Sequence, residues 1–141
     1  MSLIFWDTMI FVYWVENHPV FAPRVAEIHR RMLDRGDQLV TSALTAGEVL
    51  AGAYSRGNPA LAREYKEMLA RPTVETISFT EETAEYFARI RAVHAIASVD
   101  AIQLACAAQA KVDLFLTNDR RLAGKTIPGI QFIADLNFDY L

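Results

Sequence analysis

The chain has 141 residues, 52% hydrophobic and 22% charged, a balance that suits one globular domain over residues 1–141 and excludes a disordered segment. A single cysteine, Cys106, excludes an internal disulfide framework and fits a reducing, cytoplasmic setting. The net charge of −3 weighs mildly against a polyanion partner, but acids gathered around a bound cation would not count against one, so charge alone leaves nucleic acid open.

In chain order, the apolar run Leu3-Ile4-Phe5-Trp6 predicts a strand covered on both faces. After Asp7, residues Ile10, Phe11, Tyr13, Trp14 and Val15 have helical spacing, and most of their surface belongs in the core. Pro19 and Pro23 punctuate the chain before a helix over 24–35, with Val25, Ile28, Met32 and Leu33 inward and Gly36 as its stop. Arg30, Arg31 and Arg35 then mark its exposed face.

A strand over 38–41 follows. Thr45 opens a helix reaching about residue 55, and Asn58-Pro59 starts another, with Asn58 as cap. Residues 74–77 form a short strand. Thr80-Glu81-Glu82 begins a helix to about 93, with acids in its first turn to complement the dipole. Ser98 caps a helix to about 109 that is apolar nearly all round, where Cys106 reads as a buried, inert thiol. Residues 114–116 and 130–133 are further strands, the last weaker and at an edge.

Strands alternating with helices predict an α/β fold with a mostly parallel sheet. No apolar stretch approaches the ~20 residues of a membrane-spanning helix, and residues 1–6 lack the basic start of a signal peptide. The expectation is a cytoplasmic protein without a membrane partner.

Four carboxylates, Asp7, Glu48, Asp100 and Asp119, fall at strand-to-helix or loop-to-helix junctions, and a parallel sheet brings such junctions to one edge. Each also has a local explanation. Asp7 suits a helix cap. Thr45-Ala46-Gly47-Glu48 fits a capping box, although Gly47, a poor helix former, opens the backbone beside Glu48. Asp100 complements a helix dipole, and Asp119 ends a polar turn.

The four taken together point to a hard divalent cation, Mg²⁺ or Mn²⁺, that relieves their repulsion. His18, His29 and His94 are too scattered for zinc. Thr8, Gln103 and Thr117 are placed to support the acids. Arg56, Arg120, Arg121 and Lys125 are placed either to meet a polyanion or as solvated helix-end charges.

The segments Ile4-Phe5-Trp6-Asp7-Thr8, Thr45-Ala46-Gly47-Glu48-Val49, Ser98-Val99-Asp100-Ala101-Ile102-Gln103-Leu104-Ala105 and Leu116-Thr117-Asn118-Asp119 resemble, in order and spacing, those of PIN-domain nucleases. The resemblance covers essentially the whole chain and is nearest to the small VapC-type toxins of toxin–antitoxin pairs. It implies a three-layer α/β/α sandwich and a metal-dependent endoribonuclease. Asp7 and Asp100 would be the principal direct ligands, Asp119 would bind through water or hold a second ion, and Glu48 would orient the attacking water or ligate through water. It also implies homodimers and an antitoxin partner. One departure stands out: after Asp7-Thr8 the family usually has Asn or Ser, and here there is Met9.

Two alternatives accompany this reading. A Mg²⁺-dependent phosphotransfer domain also places Asp at strand ends, but Lys125 comes too late and Glu48 would have no role. A catalytically weak PIN module that only binds RNA or protein is the other, and retention of all four acids weighs against it.

Overall fold

The computed structural model describes residues 1–137 and 139. The final stretch of the expected domain, residues 138, 140 and 141, lies outside the described residues. The elements are β1 (Leu3–Trp6), α1 (Thr8–Val15), α2 (Ala22–Arg35), β2 (Gln38–Ser42), α3 (Ala43–Ser55), α4 (Pro59–Leu69), β3 (Val74–Ile77), α5 (Glu81–Val93), α6 (Ser98–Gln109), β4 (Leu114–Leu116) and β5 (Phe132–Ala134).

The described strands form one sheet in the order β3-β2-β1-β4-β5, and every pairing is parallel. The chain lays down β1, β2 and β3 in one direction, then returns to place β4 on the far side of β1. The switch point therefore falls between β1 and β4, where ligands of open α/β sheets bind.

Period-two alternation sorts the strand side chains to two faces. Ile4, Trp6, Leu39, Leu114 and Leu116 join residues of α1 to α4 in one core. Phe5, Val40, Phe115 and Ile133 join α5 and α6 in the other. Phe5 and Phe115 stack across the paired strands at 4.9 Å between ring centroids. The result is a three-layer α/β/α sandwich, as the resemblance implied.

Several details differ from the sequence-based expectation. α2 begins at Ala22, two residues early, after a turn in which His18 Nδ1 accepts from the Val20 and Phe21 amides. Leu33, expected inward, is exposed, because α2 turns only Ala22, Val25, Ile28 and Met32 to the core. Gly36 does stop the helix, in the left-handed conformation with φ 71°. α6 has Ala97 in the capping position and no side-chain cap; Ser98 is its first residue, and the hydroxyl expected to cap accepts from Arg91 Nη1 at 2.6 Å instead. The edge strand lies at Phe132–Ala134 rather than 130–133, with Ile130 buried just before it. Cys106 is buried, and burial pushes its thiol up to about 11. No described helix is long and apolar enough to cross a membrane.

Candidate active site

Asp7 leaves the carboxyl end of β1 and caps α1: its Oδ1 accepts from the Thr8 amide at 2.9 Å. Its other oxygen, Oδ2, accepts from the Thr117 hydroxyl at 2.9 Å. Thr117 leaves β4, the strand beside β1, and its oxygen also accepts from the Asp119 amide at 3.1 Å. One hydroxyl thus ties the loop bearing Asp119 to Asp7.

Glu48 reaches the same edge from α3. The capping box expected at Thr45 does not form. Ser42 is the cap, its hydroxyl accepting from the Thr45 amide, so the helix starts at Ala43 and Glu48 lies in its second turn. Freed from a capping role, Glu48 Oε1 accepts from the Thr8 hydroxyl at 2.6 Å. An added Cβ at Gly47 would meet nothing within 4 Å, so the backbone beside Glu48 is open.

Behind these acids lies a buried amide. Gln103, on α6, is only 1% exposed. Its Nε2 donates to Thr45 Oγ1 at 2.7 Å and Thr8 Oγ1 at 3.0 Å, and lies 3.4 Å from Asp7 Oδ1. Its Oε1 accepts from the Ser42 hydroxyl. Asp100 stands one turn earlier on α6, half-buried in the helix's first turn.

The electrostatics couple the acids. Burial pushes the Asp7 carboxyl above its ordinary 3.8, against hydrogen bonds from Thr117 and Thr8, and the charges of Asp100 and Glu48 push the same way. Burial likewise raises Asp100, helped by Asp119 and Glu48 and opposed by Arg121. Asp119 goes the other way, because Arg121 grips it: Nε meets Oδ1 at 3.0 Å and Nη2 meets Oδ2 at 2.8 Å.

Among the described residues, no three His, Cys, Asp or Glu side chains are already arranged as a metal-ligand set. Three of the four carboxylates are instead turned to local partners: Asp7 to Thr8 and Thr117, Glu48 to Thr8, and Asp119 to Arg121. The chemistry of the donors nonetheless fits a hard divalent ion. All are carboxylate oxygens, and Asp7 and Asp100 feel one another and Glu48 as unfavourable charge that a cation would relieve.

The expected cations separate into two groups. Arg121 adjoins the acids, while Arg120 and Lys125 lie on the same segment after β4, Arg120 exposed and Lys125 half-buried. Arg56 lies at the other end of α3, paired with Glu16 at 2.8 Å, so its guanidinium is engaged away from Glu48. Met9 is 47% exposed at the start of α1. The sequence reading missed Ser42 and the inward role of Thr45. The signal was there: a Ser at a strand end, three residues before a Thr, is a cap spacing in its own right.

A family model described as PIN domain matches residues 4–126. No curated protein matches the chain in sequence. Among solved structures, the chain resembles VapBC2 from Rickettsia felis, bound to a DNA fragment from its promoter, at 18% identity and TM-score 0.74 over 94% of this chain and 98% of that one. It also resembles a toxin–antitoxin complex from Klebsiella pneumoniae at 21% identity and TM-score 0.66, over 90% and 94% of the two chains. A third similar structure is Mycobacterium tuberculosis VapC20, a sarcin–ricin loop cleaving toxin, at 17% identity and TM-score 0.67 over 87% and 96%. At these identities the likeness is one of fold.

Proposed function

The chain belongs to the PIN-domain family, and from that premise we propose that it is a Mg²⁺-dependent endoribonuclease, the toxin of a toxin–antitoxin pair. The observation that carries the reading is the bonding at the switch point: Thr8 gives its amide to Asp7 and its hydroxyl to Glu48, and the Thr117 hydroxyl donates to Asp7 and accepts from the Asp119 amide. Three acids from three parts of the chain are linked there, and Asp100 couples to them through charge.

Asp7 and Asp100 are the principal residues to hold the ion, with Asp119 and Glu48 completing its surroundings directly or through water. Bound Mg²⁺, or Mn²⁺ in its place, supplies Lewis-acid stabilisation of charge developing on the scissile phosphate. Glu48, with Oε1 fixed by Thr8, keeps its second oxygen to orient the attacking water. Arg121, once released from Asp119, stands beside the acids to meet a phosphate, with Arg120 and Lys125 further along the same segment. Arg56 adds to RNA binding only from the far end of α3, after giving up Glu16. The whole of residues 1–141 acts as one cytoplasmic domain, as a homodimer, with an antitoxin partner. The similar VapBC and toxin–antitoxin structures support that partner class.

The test is degradation of a mixed RNA pool with Mg²⁺, with EDTA, and with Asp7→Asn. Cleavage confined to the unaltered chain with Mg²⁺ is the expected result. Equal RNA survival in all three would leave a module that only binds RNA or protein. Growth arrest on expression, abolished by Asp100→Asn, is the cellular counterpart.

A further inference from the structure

The buried amide of Gln103 offers more than shape, because its two ends differ and its surroundings dictate which way it faces. Asp7 Oδ1, 3.4 Å from Nε2, accepts and does not donate when ionised. Turning the amide over would set an oxygen against that carboxylate and against the backs of two hydroxyls. The nitrogen therefore faces Asp7, Thr8 and Thr45, and the oxygen faces Ser42.

The hydroxyl directions follow. Ser42 accepts from the Thr45 amide and gives its one proton to Gln103 Oε1. Gln103 spends its two N–H groups on Thr45 at 2.7 Å and Thr8 at 3.0 Å. Thr8, already an acceptor, has one proton to give, and at 2.6 Å it gives it to Glu48 Oε1. Thr45, 3.2 Å from Thr8, completes the pattern as a donor into Thr8. The chain of bonds runs one way, from Ser42 through Gln103 and Thr8 to Glu48. Ser42, Thr45 and Gln103 are each at most 1% exposed, so water does not compete for these bonds.

We infer that Gln103 is a positioning residue: its amide polarity, relayed by the Thr8 hydroxyl, fixes Glu48 at the edge where it works. The inference rests on the ribonuclease reading for what Glu48 does, and on the chain's own bonds for how Glu48 is held. It joins two helices on opposite faces of the sheet, α6 and α3, through one side chain.

Thr8→Val keeps the volume and removes the hydroxyl, whereas Thr8→Ser keeps the hydroxyl. Gln103→Met keeps the length and removes both donors. Hydrogen-bond partners that orient a residue of a metal site typically carry about 10–100-fold in activity. The expected result is a kcat loss of that order in Thr8→Val and Gln103→Met, with KM little changed and Thr8→Ser near the unaltered chain. The double variant should lose no more than the worse single one, since both cut the same chain.

An activity-independent measurement accompanies these: ¹H–¹⁵N spectra of the metal-free protein, following the Gln103 side-chain NH₂. One of its protons should shift and exchange faster in Thr8→Val and stay put in Thr8→Ser. An NH₂ signal unmoved by Thr8→Val, or losses that multiply in the double variant, would overturn the inference. Should Gln103→Met fail to fold, the Thr8 pair still decides. Should the unaltered chain not cleave RNA, the ribonuclease reading fails while the NH₂ signal still reports on the relay.

Discussion

Asp100→Asn removes one charge from the acidic edge with almost no change of shape, and its effect on stability should reverse sign when metal is added. In the metal-free chain, burial and then the charges of Asp119 and Glu48 hold the Asp100 carboxyl above its ordinary 3.8. A carboxyl raised in this way contributes stability that is complete below its ordinary value and lost as pH rises through the raised one. At pH 7 the ionised Asp100 therefore costs stability, and Asn relieves the cost. The group is partly exposed and the helix N-terminus favours its charge, so the net gain is small, about 0.5–1 kcal/mol. For a chain of this size that is about 2–4 °C in Tm.

Metal reverses the order. At a Mn²⁺ concentration one hundred times Kd, binding adds about 2.7 kcal/mol to the unaltered protein. If losing this carboxylate weakens binding about 100-fold, the variant gains only about 0.4 kcal/mol from the same Mn²⁺. It then melts below the unaltered protein, with a deficit of about 1.5 kcal/mol. Thermal unfolding at pH 7 in EDTA and in Mn²⁺ reads both signs, and the metal-free gap should close as pH falls toward 4. A variant melting at or below the unaltered protein in EDTA would refute the charge argument. Equal Mn²⁺ shifts in both would remove Asp100 from the ligands.

Gly129→Ala should destabilise without touching the acids. Gly129 has φ 97°, and an added Cβ would lie 2.8 Å from Ala108 O and 3.1 Å from Ala108 Cα, backbone atoms of α6 that have no cheap way to move. A cost of about 2–4 kcal/mol, read as a lower urea midpoint with unchanged slope, is expected. Tyr65→Phe removes the 2.5 Å hydrogen bond to Glu16 Oε2 that links α4 to the end of α1, and should cost about 1 kcal/mol by the same assay. Glu16 is held below its ordinary 4.5, first by the Arg56 hydrogen bond and then by Tyr65. Its contribution is present above 4.5 and lost as pH falls through the lowered value, so Glu16→Gln should flatten the acid limb of stability between about pH 5 and 3. Arg121→Gln takes the guanidinium off both Asp119 oxygens, leaving only the residue-121 amide on Oδ1, and calorimetry should show Mn²⁺ binding tighter by up to about fivefold.

How much of this was legible in the sequence follows from which interactions are local. Strands such as β1 and β4 are short continuous apolar runs because helices cover both faces, and that pattern needs no tertiary knowledge to read. Asn58 and Gly36 work within their own turns, and both sit where the sequence put them. The misplacements occur where a distant partner decides. Ser98 looks like a cap, yet Arg91 on α5 takes its hydroxyl. Thr45 looks like a cap, yet Gln103 from α6 draws its hydroxyl inward while Ser42 caps the helix. The four acids could be assigned to one edge because a parallel sheet sends every strand end there. The side-chain directions of Asp7, Glu48 and Asp119 could not be read, because each is set by a hydroxyl or guanidinium brought there by the fold.

Those directions bear on how an ion would enter. The partners that turn the acids aside come from near and far: the Thr8 amide follows Asp7 and Arg121 follows Asp119 by two, whereas the Thr117 hydroxyl reaches Asp7 and the Thr8 hydroxyl reaches Glu48 from distant parts of the sequence. They hold the acids in place before any ion arrives, which lowers the conformational cost of binding, but each must share or yield an oxygen to it. A hydroxyl shares readily, since a carboxylate oxygen has room for both a donor and a cation. The Arg121 fork spans both Asp119 oxygens and must swing away. The Asp100 carboxylate takes no hydrogen bond among the described residues. An incoming ion therefore meets Asp100 without displacing a donor, shares Asp7 with two, and gains Asp119 only by releasing Arg121. The same movement that completes the metal's surroundings would free a guanidinium beside it, where a phosphate would need one.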